Sequence, residues 1–80
     1  MTRQEIFDKV VEEIRDCAPE LADKELTEDI VINTDTGIDS MGMTLIICRL
    51  EAAFDVKIPQ RLWQDIMTIG DVVDAFEKRL

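Results

Sequence analysis

The chain has 80 residues, with eighteen acids against nine bases and no histidine, for a formal charge of −9. A chain this short encloses one small core, so a single domain over residues 1–80 is expected, without room for a deep catalytic cleft and its supporting shell. The charge opposes nucleic acid and anionic membranes, which both reward positive charge, and it favours a basic partner surface.

Thr2 and Glu5 make a Thr-x-x-Glu capping box. Ile6, Phe7, Val10, Val11, Ile14 and Cys17 then recur at steps of three and four, which predicts an amphipathic helix over roughly 3–17. Residues 18–38 hold no clean period. Turn and cap residues alternate there with Leu21, Leu26, Ile30, Val31 and Ile32, so a long loop docked on the core is expected. Ile30–Ile32 has strand composition but no second strand to pair with. The next helix is predicted from Asp39 or Ser40 to about Phe54, with Met43, Ile46, Ile47, Leu50 and Phe54 facing inward. Pro59 can open a short helix through Trp63 or Gln64. Thr68 and Asp71 make a second cap, and Ile69, Val72, Val73, Phe76 and Leu80 form the stripe of a last helix over 69–79. The expected fold is all-α: a four-helix bundle of three longer helices and one short one, with a long loop after the first.

Cys17 and Cys48 are too few for a disulfide framework and lack zinc spacing. Free thiols in a reducing compartment are expected, although a single bridge between them stays open. The N-terminal stretch is amphipathic and acidic, unlike a signal peptide, and no apolar run approaches the ~20 residues of a membrane span. A soluble, cytoplasmic protein is expected.

Catalysis is poorly supported. Without histidine a Ser-His-Asp site is impossible. Of the four lysines, Lys57 is the least implausible partner for Ser40. The run from Asn33 to Asp39 fails the EF-hand pattern, because the loop positions that need carboxylates would be Ile32 and Met43. With only Gly37, Gly42 and Gly70, no glycine-rich phosphate loop exists, and no metal site is expected.

Gly37-Ile38-Asp39-Ser40-Met41-Gly42 is what remains. Taken alone, Asp39 or Ser40 would be a helix cap. Yet a hydroxyl at the end of a long loop and at the positive end of a helix is also well placed for modification by another enzyme, since a phosphate ester there meets free backbone N–H groups. Gly37 allows the turn and Gly42 lowers crowding.

Gly37–Met41 resembles the Gly-x-Asp-Ser-Leu/Met motif of acyl carrier proteins. Leu50–Pro59 is similar to the family's Leu-Glu-x-x-Phe-x-Ile-x-Ile-Pro, and Met67–Val73 to its Thr-Val-Gly-Asp-x-Val segment. The resemblance covers about Gly37 to Phe76. It implies that Ser40 carries 4′-phosphopantetheine, added by a phosphopantetheinyl transferase from coenzyme A with magnesium. The arm's thiol would hold acyl groups as thioesters for loading and processing enzymes, while the protein itself catalyses nothing. Asp39 would help dock the transferase, and Met41 would fill the apolar pocket that usually receives leucine. Aspartate before the serine separates the chain from peptidyl carriers, which usually have histidine there.

The chain departs from the pattern in its second predicted helix, which in the family faces partners and in fatty-acid carriers is dense with acids. Here Glu51 is its only acid, with Arg49 opposing it. The expected partner-docking set is Asp39, Met41, Met43, Thr44, Leu45, Cys48 and Glu51. So acid-poor a face points to a specialised pathway, polyketide, aminoacyl or other dedicated acyl transfer. The alternatives are a carrier for primary fatty-acid synthesis, or an unmodified acidic adaptor with Ser40 as a cap. Thr36 replaces a leucine common before the motif glycine, which is expected to loosen the loop. Trp63 is expected to pack, and Cys48, with no histidine beside it, is not expected to bear acyl groups. A monomer is expected.

Overall fold

The computed structural model describes residues Met1–Leu80. Helix α1 spans Arg3–Cys17, α2 Ile32–Thr36, α3 Ser40–Phe54 and α4 Ile69–Glu77. Two 3₁₀ turns, Pro19–Leu21 and Gln60–Asp65, lie between them. The three longer helices stand where periodicity placed them, and the expected short helix after Pro59 is the second 3₁₀ turn. There is no strand.

Each longer helix begins at a side-chain cap. Thr2 and Glu5 form the reciprocal box of α1, and Thr68 and Asp71 form that of α4. Asp39 caps α3 by accepting the Gly42 N–H at 2.8 Å. Such caps satisfy N–H groups that a helix cannot pair internally. Helix α3 ends where Asp55 turns left-handed, at φ 56°. Helix α4 stops at Glu77, two residues short of expectation. Lys78 is its cap and Leu80 is half exposed, so the last residue of the expected stripe is not core.

Helix α1 packs against both α3 and α4. The shared core includes Ile6, Val10 and Ile14 from α1, Ile46 and Leu50 from α3, and Ile69, Val72, Val73 and Phe76 from α4, all fully buried. Phe54 and Phe76 meet with ring centroids 5.3 Å apart at 53°, a tilted contact that suits the ring quadrupoles.

The region expected as a long loop docked on the core does dock there, but it also holds a 3₁₀ turn and the short helix α2, which its composition did not predict. Leu21, Leu26, Ile32 and Ile38 join the core. Val31 forms an isolated antiparallel bridge with Thr68. Ile32 N–H donates to Met67 O at 2.9 Å, Ile69 N–H to Ile30 O at 3.0 Å and Gly70 N–H to Glu28 O at 2.8 Å. The missing partner for Ile30–Ile32 is therefore the segment entering α4, whose sequence shows only a cap. Thr36 does not leave the loop untethered: its hydroxyl donates to Ile32 O and accepts from Ile38 N–H. Arg3 adds a surface tie, pairing with Glu28 at 2.5 Å, Asp74 at 2.7 Å and Glu77 at 2.9 Å.

Asp71 links the cap of α4 to this stitch, because its Oδ2 accepts both the Met67 and Thr68 N–H groups at 3.0 Å. Partial burial pushes its carboxyl up, but those hydrogen bonds outweigh it, and the group lies below its ordinary value of 3.8. A carboxyl depressed in the fold contributes stability that is complete above that ordinary value and drains away as pH falls through the folded value. Wild type is expected to lose stability as pH drops below about 4, and Asp71→Asn to be less stable at neutral pH with a shallower acid loss. Urea unfolding at several pH values checks this.

Candidate functional site

Two features of the chain immediately before α3 fix the geometry at Ser40. Gly37 ends α2 in the left-handed conformation, at φ 77°, which glycine adopts without steric cost. Ile38 is then buried at 8% exposure, close beneath Gly42. A Cβ on Gly42 would stand 2.7 Å from Ile38 Cγ2, so only glycine lets the loop approach this closely. With Ile38 inward and Asp39 capping, Ser40 emerges as the first helical residue, exposed to solvent.

That settles which residue is the cap. Asp39 makes the capping bond, and the Ser40 hydroxyl makes no hydrogen bond within the chain. The Ser40 backbone carbonyl, by contrast, accepts from the Thr44 hydroxyl at 2.9 Å. The Ser40 and Met41 N–H groups also lack partners, whereas Gly42 and Met43 N–H are bonded to Asp39.

Ser40 borders a cleft of about 310 Å³ between α3 and the 3₁₀ turn before α4. Ile38, Met43, Ile47, Trp63 and Ile66 supply its apolar lining, and Asn33, Asp39, Thr44 and Gln64 its polar one. Trp63 both packs and lines the cleft: its Nε1–H donates to Ile58 O at 3.0 Å while the ring stays half exposed.

Of the residues expected to meet partners, Asp39, Met41, Thr44, Leu45 and Cys48 are exposed. Met43 is half-buried and belongs to the cleft wall. Glu51 must be corrected. It is only 8% exposed, and its Oε2 accepts the buried Ile58 N–H at 2.7 Å. Its carboxylate braces the turn after α3 and does not belong to a docking face. Helix periodicity had hinted at this, since Glu51 lies four residues after Ile47 on the inward side. The sequence reading also missed Ile66, Asn33 and Gln64 as cleft residues, because they reach it from elements that only the fold brings together.

These residues fit a phosphopantetheine group. A phosphodiester on the Ser40 oxygen would find two unpartnered N–H groups at the positive end of a fifteen-residue helix. The adjoining cleft offers the arm an amphipathic wall. The fold and this site have the form of a carrier: a small helical scaffold that exposes an unbonded serine hydroxyl at the start of a helix.

The comparisons agree. The family described as phosphopantetheine attachment site matches residues 8–76. An acyl carrier protein of Amoebophilus asiaticus is 38% identical over 76 residues, covering 95% of this chain and 94% of that one. One from Borreliella burgdorferi is 38% identical over 82 residues, covering 99% and 98%. The solved structure of a proposed acyl carrier protein from Mycobacterium tuberculosis superposes with a TM-score of 0.86 at 28% identity, covering 94% of this chain and 99% of that one. The chain belongs to the acyl carrier protein family. Its cofactor is covalently attached 4′-phosphopantetheine, and it is a carrier and not an enzyme. Its role entails a transferase and acyl-handling enzymes, and the unmodified-adaptor alternative falls away.

Glu51→Ala leaves the buried Ile58 N–H without an acceptor. The expected loss is about 1–3 kcal/mol in urea unfolding, with a smaller loss in Glu51→Gln, whose amide oxygen can still accept.

Proposed function

We propose that Ser40 is the attachment residue and that the protein carries acyl or aminoacyl groups as thioesters on that arm in a specialised biosynthetic pathway. The observation that carries the assignment is the exposed, unbonded Ser40 hydroxyl at the first position of α3, beside the cleft. Loading proceeds by attack of that oxygen on the coenzyme A phosphate that bears pantetheine; the 3′,5′-ADP portion leaves and the serine proton passes to a base of the transferase. The attached arm supplies a terminal thiol. The chain's own part is to hold the ester oxygen outward, to offer the Ser40 and Met41 N–H groups to the phosphate, and to give the arm or its cargo an apolar wall at Met43, Ile47, Trp63 and Ile66. No helix is long and apolar enough to cross a membrane. With Cys17 and Cys48 both free thiols, the reading includes a monomer at work in the reducing cytoplasm.

Incubation with coenzyme A, magnesium and a broad-specificity phosphopantetheinyl transferase, followed by intact mass, tests the assignment. One phosphopantetheine addition is expected, absent from Ser40→Ala. A folded wild-type chain that takes no addition would contradict it.

The specialised pathway is favoured by the scarcity of acids along α3, which is deepened by the burial of Glu51. Fatty-acid synthase enzymes are therefore expected to accept the holo protein poorly. Malonyl loading and elongation should run at least about tenfold below a fatty-acid carrier in kcat/KM, equivalent to about 1.4 kcal/mol of lost recognition. Efficient elongation would return the protein to primary fatty-acid synthesis.

A further inference from the structure

The backbone that leads into Ser40 turns sharply and is held by few backbone bonds. Helix α2 ends at Gly37, whose N–H donates to Asn33 O at 3.0 Å and whose φ of 77° breaks the helical path. From Ile38 to Met41 no N–H group finds a backbone acceptor. A buried N–H without an acceptor is costly, and Ile38 is buried.

A side chain meets that need. The Thr36 hydroxyl accepts the Ile38 N–H at 3.3 Å and donates in turn to Ile32 O. Ile32 N–H donates to Met67 O at 2.9 Å. One hydroxyl thus bridges the glycine turn and connects Ile38 to the stitch at the entrance to α4. As donor and acceptor at once, it lets each bond polarise the other.

Packing does not replace this tether. Thr36, Ile38, Asp39 and Gly42 border a small cleft of about 210 Å³, with Cys17 and Ala18 at the end of α1. The segment therefore has open space beside it. Nothing lies within 4 Å of where a Cβ on Gly37 would stand, and an uncrowded glycine is the residue least able to hold a turn by itself. Thr36 does not line the cleft beside Ser40. Whatever it does for the serine passes through Ile38.

We infer that Thr36 is a positioning residue for the modification of Ser40: through the Ile38 N–H it fixes where the Ser40 oxygen stands. This rests on Ser40 being the attachment residue. Transfer requires that oxygen to stand in line with the phosphate under attack, and a displacement of about 1 Å at such a centre costs on the order of a hundredfold in rate. Without the hydroxyl, Gly37 and Ile38 are free to swing into the adjoining cleft, and the start of α3 spreads over several positions. The outer surface that the transferase meets is unchanged, so the loss falls on kcat and not on KM.

The test uses the full chain, coenzyme A, magnesium and the same broad-specificity transferase, with kcat and KM for the carrier measured separately. Thr36→Val keeps the shape and removes the hydroxyl, whereas Thr36→Ser keeps the hydroxyl and removes the methyl. Thr36→Val is expected to lower kcat about tenfold or more with KM within about twofold of wild type. Thr36→Ser should stay within about twofold on both. Amide hydrogen exchange gives a readout that does not depend on the transferase: in Thr36→Val the Ile38 and Gly42 N–H groups should speed up more than those of Val10 and Ile14 in the core. Glu51→Ala, destabilised at the far end of α3, should keep the wild-type kcat. Wild-type kcat in Thr36→Val, a loss confined to KM, or a Thr36→Ser as impaired as Thr36→Val overturns the inference while leaving Ser40 assigned. So does an equal loss of kcat in Glu51→Ala, which would trace the effect to general stability. If Thr36→Val does not fold, the hydroxyl belongs to the fold and not to positioning, and the inference is overturned. No modification of wild type at all would remove the attachment assignment and this inference together.

Discussion

Ile38, buried immediately before the capping aspartate, holds the functional end of the molecule in place. Its side chain lies under Gly42, its neighbour Asp39 closes the first turn of α3, and Ser40 is left pointing out. One residue goes in, the next caps and the third is presented. The arrangement needs no strain and no unusual chemistry. It needs only that nothing bulkier than hydrogen stand at position 42 and that position 37 turn left-handed.

That anchor works because the segment ahead of it is fixed. Backbone bonds between 28–32 and 67–70 join the long connection to the entrance of α4, and Asp71 organises that entrance from inside the last helix. The Arg3 cluster adds a tie between α1, Glu28 and α4 at the surface. Exposed ion pairs of this kind contribute modestly, so the backbone bonds and the burial of Leu26, Ile32 and Ile38 do most of the work. The result is a firmly tied platform beneath Ser40, the proposed attachment point, which stays exposed.

Charge and function are separated on this molecule. The carboxylates crowd α1 and the connection after it, while the helix that begins at Ser40 is almost neutral outside. Glu51 and Arg49, the charged side chains of that helix, are both engaged within the chain, one with Ile58 and the other with Glu13 and Asp16. Net charge therefore says little about the surface a partner of Ser40 would meet.

The sequence by itself determined the three longer helices, because capping boxes and three-four apolar spacing are local signals. It also singled out Ser40, since the absence of histidine removed the catalytic alternatives and the motif around the serine resembled one family. Several features were decided only by the tertiary structure. Ile30–Ile32 found its partner across some forty residues, at a segment with no strand signal of its own. Asp39, not Ser40, became the cap, a choice set by which side chain could reach the Gly42 N–H. Glu51 changed from surface acid to buried brace because the turn after α3 brings the Ile58 N–H to it. The cleft beside Ser40 draws on Asn33, Met43, Trp63 and Ile66, residues that share no period and no local motif. Local spacing encodes which face of a helix is apolar, but contacts between distant segments depend on how the whole core closes, and that is where these residues received their roles.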